Sequence, residues 1–350
     1  MMASGDLLRQ LFRGYAKRDD TTFRTAANAI IQEERAKNHR LLADDLEKIL
    51  LNGSKPSGER YVANSMSEIP KDRERGFPLL DLAAFTHDWN RIVLPAKITE
   101  ILKQIVKENY KRDILAASGL KPKQKILFYG PPGCGKTLAA QVIAGVLGYP
   151  LITVRFDAIV SSYLGETAAN LRRVFEFIER GQWVVLFDEF DAIGKDRNNA
   201  FEHGELKRVV NTLLQLMDAF RGESLLIAAT NHEGLLDNAI WRRFETVVPF
   251  SLPSEQERLL LLRLFLRGFD CSHLNLKLVA HNLRDATGAD IEWVTVEAAR
   301  RAVLDGRYGL LKEDMDFVLA SFEDRMTIIH SLSDHEFDTP KKEIKGVHTN

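Results

Sequence analysis

Cysteine is scarce: the 350 residues include two, Cys134 and Cys271. Two thiols cannot make a disulfide framework, and one of them lies inside a glycine-rich loop, so a reducing compartment is expected. An excess of one charge sign is also missing, with 48 Lys+Arg against 49 Asp+Glu and a formal net charge of -1. A nucleic-acid partner is therefore not expected, and nothing favours an anionic membrane surface. Long apolar runs are absent as well. Met1 to Gly14 interleaves charged with apolar residues, and the richest later run, Leu259 to Leu266, is interrupted by Arg263. Neither a secretory leader nor a membrane insertion follows, and a cytoplasmic protein is expected. The nine histidines lack H-E-x-x-H or C-x-x-C company, and no serine nucleophile elbow or protease motif occurs. With 45% hydrophobic and 28% charged residues, the chain is globular and long enough for two or three domains.

What is present centres on Lys125 to Thr137, K-I-L-F-Y-G-P-P-G-C-G-K-T. An apolar run leads straight into G-x-x-x-x-G-K-[ST], and a helical pattern (Leu138, Ala139, Ala140, Val142, Ile143) follows. Gly130, Gly133 and Gly135 allow the backbone to curl so that successive N–H groups face one point, to which the next helix adds its positive end. A triphosphate fits such a nest. Lys136 would reach the β/γ-phosphates, and the Thr137 hydroxyl would take one place on a Mg²⁺. An ordinary tight turn with an exposed lysine is the alternative, and residues further along decide against it.

Val184 to Asp191, V-V-L-F-D-E-F-D, puts acids where an apolar strand ends. Paired acids there are costly unless a cation or hydrogen bonds compensate them. Asp188 suits the Mg²⁺ and Glu189 suits a base for the attacking water; Asp191 is open between metal support and structure. A second apolar strand, Ser224 to Ala229, runs into Thr230 and Asn231. Asn231 can donate and accept, which suits a residue touching a γ-phosphate and a water together.

Three helical stripes mark residues 1–51 as an N-terminal helical unit: Leu7 to Tyr15, Phe23 to Ile31 and Leu42 to Leu50. It is either a structural appendage or an adaptor for a partner. Residues 52–76, rich in Gly, Pro, Ser and charge, read as a linker. Residues 77–251 begin with a long helix, Ala96 to Ser118, and then alternate strands with helices. Five strands are expected: one before the glycine-rich loop, Leu151 to Arg155, Trp183 to Phe187, Ser224 to Ala229, and Thr246 to Phe250. Their apolar content predicts a parallel sheet covered by helices on both faces, the α/β class, with ligands at the carboxyl ends of the strands. Residues 252–330 hold helices only and form a small helical lid; 331–350 read as a mobile polar tail.

Over about residues 77 to 325 the chain resembles the AAA-proper clade of AAA+ ATPases. G-P-P-G-C-G-K-T resembles the Walker A element, V-V-L-F-D-E-F-D resembles Walker B, and A-A-T-N is similar to sensor 1. L-D-N-A-I-W-R-R-F-E is similar to the end of the second region of homology, and A-T-G-A-D-I to the sensor 2 region. The resemblance implies a P-loop NTPase fold and ATP with Mg²⁺ as ligands. It implies nucleotide contacts from Gly130, Pro131, Pro132, Gly133, Cys134, Gly135, Lys136, Thr137, Leu138, Gly288 and Ala289, and metal contacts from Thr137 and Asp188. Catalytic roles fall to Lys136, Glu189 and Asn231. It also implies a homo-oligomeric, hexameric ring in which Arg242 or Arg243 reaches into the neighbouring subunit's site; relatives often carry an arginine at the position of Trp241. Ser161 to Thr167, S-S-Y-L-G-E-T, resembles a pore loop in which Tyr163, Leu164 and Gly165 would grip a protein substrate. The polar stretch Lys195 to Gly204 lies where a second pore loop would fall.

The expected activity is a Mg²⁺-dependent ATPase that remodels, unfolds or disassembles proteins through a central pore. The alternative is a nucleotide-controlled assembly switch that recruits or activates a partner protein without threading; a separately encoded protease in bacterial anti-phage defence is one such partner.

Overall fold

The computed structural model describes residues 5–16, 20–36, 69–73, 76–159, 164–190, 200–232, 234 and 238–336. The chain divides after Glu68 into two compact units. In the first, α1 (Gly5–Ala16) packs on α2 (Asp20–Ala36). Ala26, Ile30 and Ile31 are buried there, as the α2 stripe predicts, whereas Phe12 of α1 is 67% exposed. The third expected stripe, Leu42 to Leu50, lies outside the described residues.

The second unit begins at Ile69, inside the stretch read as linker. Lys71 bridges Pro78 in antiparallel fashion, Asp72 is buried, and Arg173 donates to the Lys71 carbonyl at 2.9 Å. Residues 69–73 are thus docked on the α/β body.

That body holds β1 (Leu80–Ala83), α3 (Ala96–Tyr110), α4 (Arg112–Ala117), β2 (Lys125–Tyr129), α5 (Lys136–Leu147), β3 (Leu151–Val154) and α6 (Phe156–Ile159). It continues through α7 (Leu164–Ile178), β4 (Val184–Phe187), α8 (Ala200–Ala219), β5 (Leu225–Thr230), α9 (Asn238–Trp241) and β6 (Thr246–Pro249). The sheet has six strands in the order β1-β3-β4-β5-β2-β6, not five. The five expected strands run parallel, and the extra one, β1, lies antiparallel on β3, pairing Leu80 with Val154. An edge strand of four residues, L-D-L-A, gives too short an alternation to stand out from a loop.

Period-two alternation explains the two cores. Ile126, Phe128, Val184, Leu186, Leu225 and Ile227 face the layer formed with α3 and α5. Leu127, Val185, Phe187, Leu226 and Ala228 face the opposite layer with α7 and α8. Every residue of β4 and β5 is buried, so these strands read as continuous apolar runs.

The expected helix Ala96 to Ser118 divides at Lys111, which has φ -102° and ψ 25°. Next to the break, Arg112 pairs with Glu223 at 2.7 Å and donates to the Glu223 carbonyl. This tertiary anchor turns the chain where periodicity alone would continue the helix.

The stretch expected to be a lid, hereafter the lid, contains α10 (Glu255–Phe265), α11 (Leu276–Asn282), α12 (Gly288–Leu304) and α13 (Lys312–Glu336) around a core of Leu262, Leu283, Ile291, Val294 and Leu310. Capping boxes start α10 (Ser254 with Glu257) and α12 (Thr287 with Asp290). The helix α13 extends through Glu336, so Ser331 to Glu336, read as the start of the tail, are helical. No described helix is long and apolar enough to cross a membrane.

Candidate functional site

The parallel order places β2 between β5 and β6, so the loop after β2 opens at the carboxyl edge of the sheet. Three strand ends converge there. Gly133 to Leu138 follow β2, Asp188 and Glu189 follow β4, and Asn231 follows β5; all line one cleft of about 740 Å³. Pro132, Gly288 and Ala289 line it too, so most of the expected nucleotide and metal residues share one cavity. Gly130 and Pro131 are not among the residues that line it; their carbonyls accept from the Lys136 ammonium at 2.7 and 2.8 Å. Those bonds compensate a lysine that is only 6% exposed.

The loop needs its glycines for physical reasons. Gly130 has φ +134°, and a Cβ there would stand 1.9 Å from the Phe250 carbonyl oxygen. Gly133 has φ +73°, and its Cβ would come within 2.7 Å of Thr287 Oγ1 and 3.2 Å of the Ala289 Cβ. Ala289 N–H donates to the Gly133 carbonyl at 3.1 Å. The lid thus holds the phosphate-loop candidate by a main-chain bond and by contact through Thr287.

At the end of β4, the Thr137 hydroxyl donates to Asp188 Oδ2 at 2.7 Å, and Asp188 Oδ1 accepts the Glu189 N–H at 2.9 Å. Glu189 has φ +49°, the one non-glycine residue with positive φ among those described. Such a backbone costs on the order of 1–3 kcal/mol and persists where its surroundings fix it. The hydroxyl–carboxylate pair offers hard oxygen donors of the kind Mg²⁺ takes, beside a loop whose N–H groups suit phosphate. These residues therefore fit a Mg²⁺-nucleotide. Burial pushes the Cys134 thiol above its usual range, Lys136 pulls it down and Asp290 adds a smaller upward push, so this cysteine is poorly disposed to react.

Other expectations fall elsewhere. Neither Arg242 nor Arg243 lines the cleft. Arg242 is exposed, and Arg243 pairs with Asp218 at 2.9 Å. Trp241 sets its ring edge-on to Tyr129, with centroids 5.2 Å apart. Leu164 and Gly165 lie in the first turn of α7 rather than in a loop, and Tyr163 and Asp191 lie outside the described residues. Of Lys195 to Gly204, residues 195–199 are also outside them, and Ala200 to Gly204 begin α8.

Sequence reasoning missed the apolar side of the cleft. Ile92, Val93, Leu94 and Pro95 line it from the segment before α3, and Leu261, Leu264 and Phe265 from α10. Helical spacing marks the second group as buried without saying against what. Thr287 was also missed, although T-x-x-D is a helix-start signal that could have singled it out.

A family model described as ATPase family associated with various cellular activities (AAA) matches residues 126–252. The chain is 38% identical to the AAA family ATPase y4kL of Sinorhizobium fredii over 322 residues, covering 91% of this chain and 95% of that protein. It is 34% identical to the proteasome-activating nucleotidase of Thermococcus kodakarensis over 231 residues, 64% of this chain and 55% of the relative. Against the same-named protein of Pyrococcus furiosus it is 34% identical over 257 residues, 70% of this chain. The matched parts make up 55% and 61% of those two nucleotidases. Helix-covered sheet, glycine-rich loop and near full-length similarity to y4kL agree, and the chain belongs to the AAA ATPase family as a nucleotide-binding ATP hydrolase with the P-loop α/β fold.

Proposed function

We propose that this ATPase works as a homo-oligomeric ring, a hexamer, that uses Mg²⁺-ATP hydrolysis to remodel protein substrates through a central pore. One observation carries the reading: Arg242 and Arg243 lie outside the cleft of their own chain. A planar, permanently charged guanidinium suits the charge that develops on a transferred phosphoryl group. An arginine displaced from its own cleft can supply that charge to a neighbour's. Similarity to nucleotidases named for activating a proteasome supports a protein as the object of the work.

Within the cleft, the phosphate-loop N–H groups and Lys136 bind and orient the phosphates. Thr137 and Asp188 would hold the Mg²⁺, which when bound neutralises phosphate charge. Glu189 accepts the proton of the attacking water, and Asn231 orients that water against the γ-phosphate. Ile92 to Pro95, with Leu261, Leu264 and Phe265, give the base an apolar wall.

The test separates fuel from work. Tyr163→Ala is expected to leave ATP hydrolysis near the wild-type rate while unfolding of a tagged model protein is lost. Unfolding that persists in this variant would count against threading past Tyr163, and a wild-type protein that hydrolyses ATP without unfolding the tagged protein would support the assembly-switch alternative.

A further inference from the structure

Arg258, in the first turn of α10, is 6% exposed and has no carboxylate partner among the described residues. A buried cation without a counter-ion is costly unless its donors are all met. Here three main-chain carbonyls accept from Nε and Nη1. Nε donates to Ala280 at 2.7 Å, and Nη1 donates to Pro253 at 2.8 Å and to Arg284 at 3.1 Å.

Those carbonyls occupy informative places. Pro253 lines the cleft and lies just before Ser254, the N-cap of the lid's first helix. Ala280 is in α11, and Arg284 shortly precedes Thr287, where α12 begins. Thr287 and Ala289 are the lid residues that meet Gly133. The entry to the lid and the segment that holds the phosphate loop are therefore fastened to one guanidinium. The neighbouring Glu257 lines the cleft, as do Leu261, Leu264 and Phe265 further along the same helix.

We infer that Arg258 is a positioning residue for nucleotide binding: its guanidinium fastens the segment that leads into α12 to the entry of α10, and so keeps Ala289 on Gly133. It touches no nucleotide. Its effect is to raise the fraction of molecules whose lid and phosphate loop are already in the binding arrangement. A lysine keeps the charge but cannot span three carbonyls with one ammonium, so Arg258→Lys should lower that fraction.

The consequence falls on affinity rather than on the chemical step, because saturating ATP restores the arrangement. If the competent fraction drops to about a tenth, the apparent Kd rises about tenfold while kcat at saturation stays within about twofold. The experiment uses the full chain carrying Arg258→Lys, a fluorescent ADP analogue for Kd, steady-state ATPase for kcat, and amide hydrogen exchange without nucleotide. Because exchange follows the open fraction, which rises from a minority to most molecules, exchange at Ala289 should quicken about tenfold or more, while Leu262 and Val318 in the lid core stay protected. Three results would overturn the inference. One is an unchanged Kd. Another is a lower kcat, or a weaker Kd, without faster exchange at Ala289. The third is loss of protection throughout the lid, which would make Arg258 a general core stabiliser.

Discussion

The Thr137 hydroxyl donates to Asp188 Oδ2 at 2.7 Å, tying the first turn of α5 to the end of β4. Two segments far apart in sequence are thereby registered at the point where a metal-bound phosphate would lie. Thr137→Ala and Asp188→Asn should each lower kcat by about 100-fold or more, the scale seen when a preorganised electrostatic group is removed. Thr137→Ser keeps the hydroxyl and should retain most activity. Steady-state rates measured across a Mg²⁺ titration check this; wild-type metal dependence in Thr137→Ala would remove Thr137 from the metal site, and the same result in Asp188→Asn would remove Asp188.

Glu189→Gln should bind ATP with near-normal affinity and lose hydrolysis by about 10²–10⁴-fold, because the amide cannot take the proton from water. Single-turnover assays with radiolabelled ATP, alongside a binding measurement, separate the two effects. Turnover at the wild-type rate would mean that another group is the base.

Gly133→Ala combines a positive φ with a Cβ that would meet Thr287 and Ala289. Overpacking of this kind costs about 1–3 kcal/mol, and here it presses the lid away from the loop. Nucleotide affinity should fall about tenfold or more, by the same conversion of free energy to binding. Calorimetric titration reads the change directly.

Arg242→Ala should leave ADP binding within about twofold and abolish most hydrolysis in the assembled protein, since an arginine acting between subunits is worth about 10³-fold or more. Mixing Arg242→Ala with Glu189→Gln subunits should restore partial activity, because some interfaces then pair an intact Arg242 with an intact Glu189. No recovery on mixing would count against action between neighbours. Arg243 is the poorer probe, since its pairing with Asp218 gives it a local structural contact.

The lid carries its own pH dependence. Hydrogen bonds from Arg307 hold the Asp314 carboxyl below its usual range. Arg307 donates to both its oxygens at 2.7 and 2.9 Å, and the Leu311 N–H adds a third bond. A carboxylate whose folded pKa is depressed stabilises the fold above its unfolded value, about 3.9, and that stability is lost as pH falls through the folded value. Thermal melts of wild type and Asp314→Asn should differ by several degrees at pH 6, and the gap should narrow below about pH 4. A gap independent of pH would assign the effect to packing.

Legibility in the sequence followed locality. Lys136, Thr137, Asp188 and Asn231 could be read because strand end, loop and helix start are each encoded within a few residues, and the shared cleft follows from the parallel order. The Thr287 contact with Gly133 could not, since it depends on the whole lid folding back onto the loop. The edge strand β1 was missed because four residues with one inward face resemble a loop, and the break at Lys111 because Glu223 acts from a distant turn. Glu189 was picked out for its chemistry, while its left-handed backbone carries no signal in residue type.

The bond from Ala289 N–H to the Gly133 carbonyl is made entirely by main-chain atoms. Most side-chain exchanges at position 289 would leave its donor intact, so this link is nearly silent to ordinary substitution scanning. Proline is the exception, having no N–H to give. An alanine scan of the lid would therefore map its side chains and pass over the joint itself, and backbone-directed changes such as Ala289→Pro or an amide-to-ester replacement are the means of exposing it.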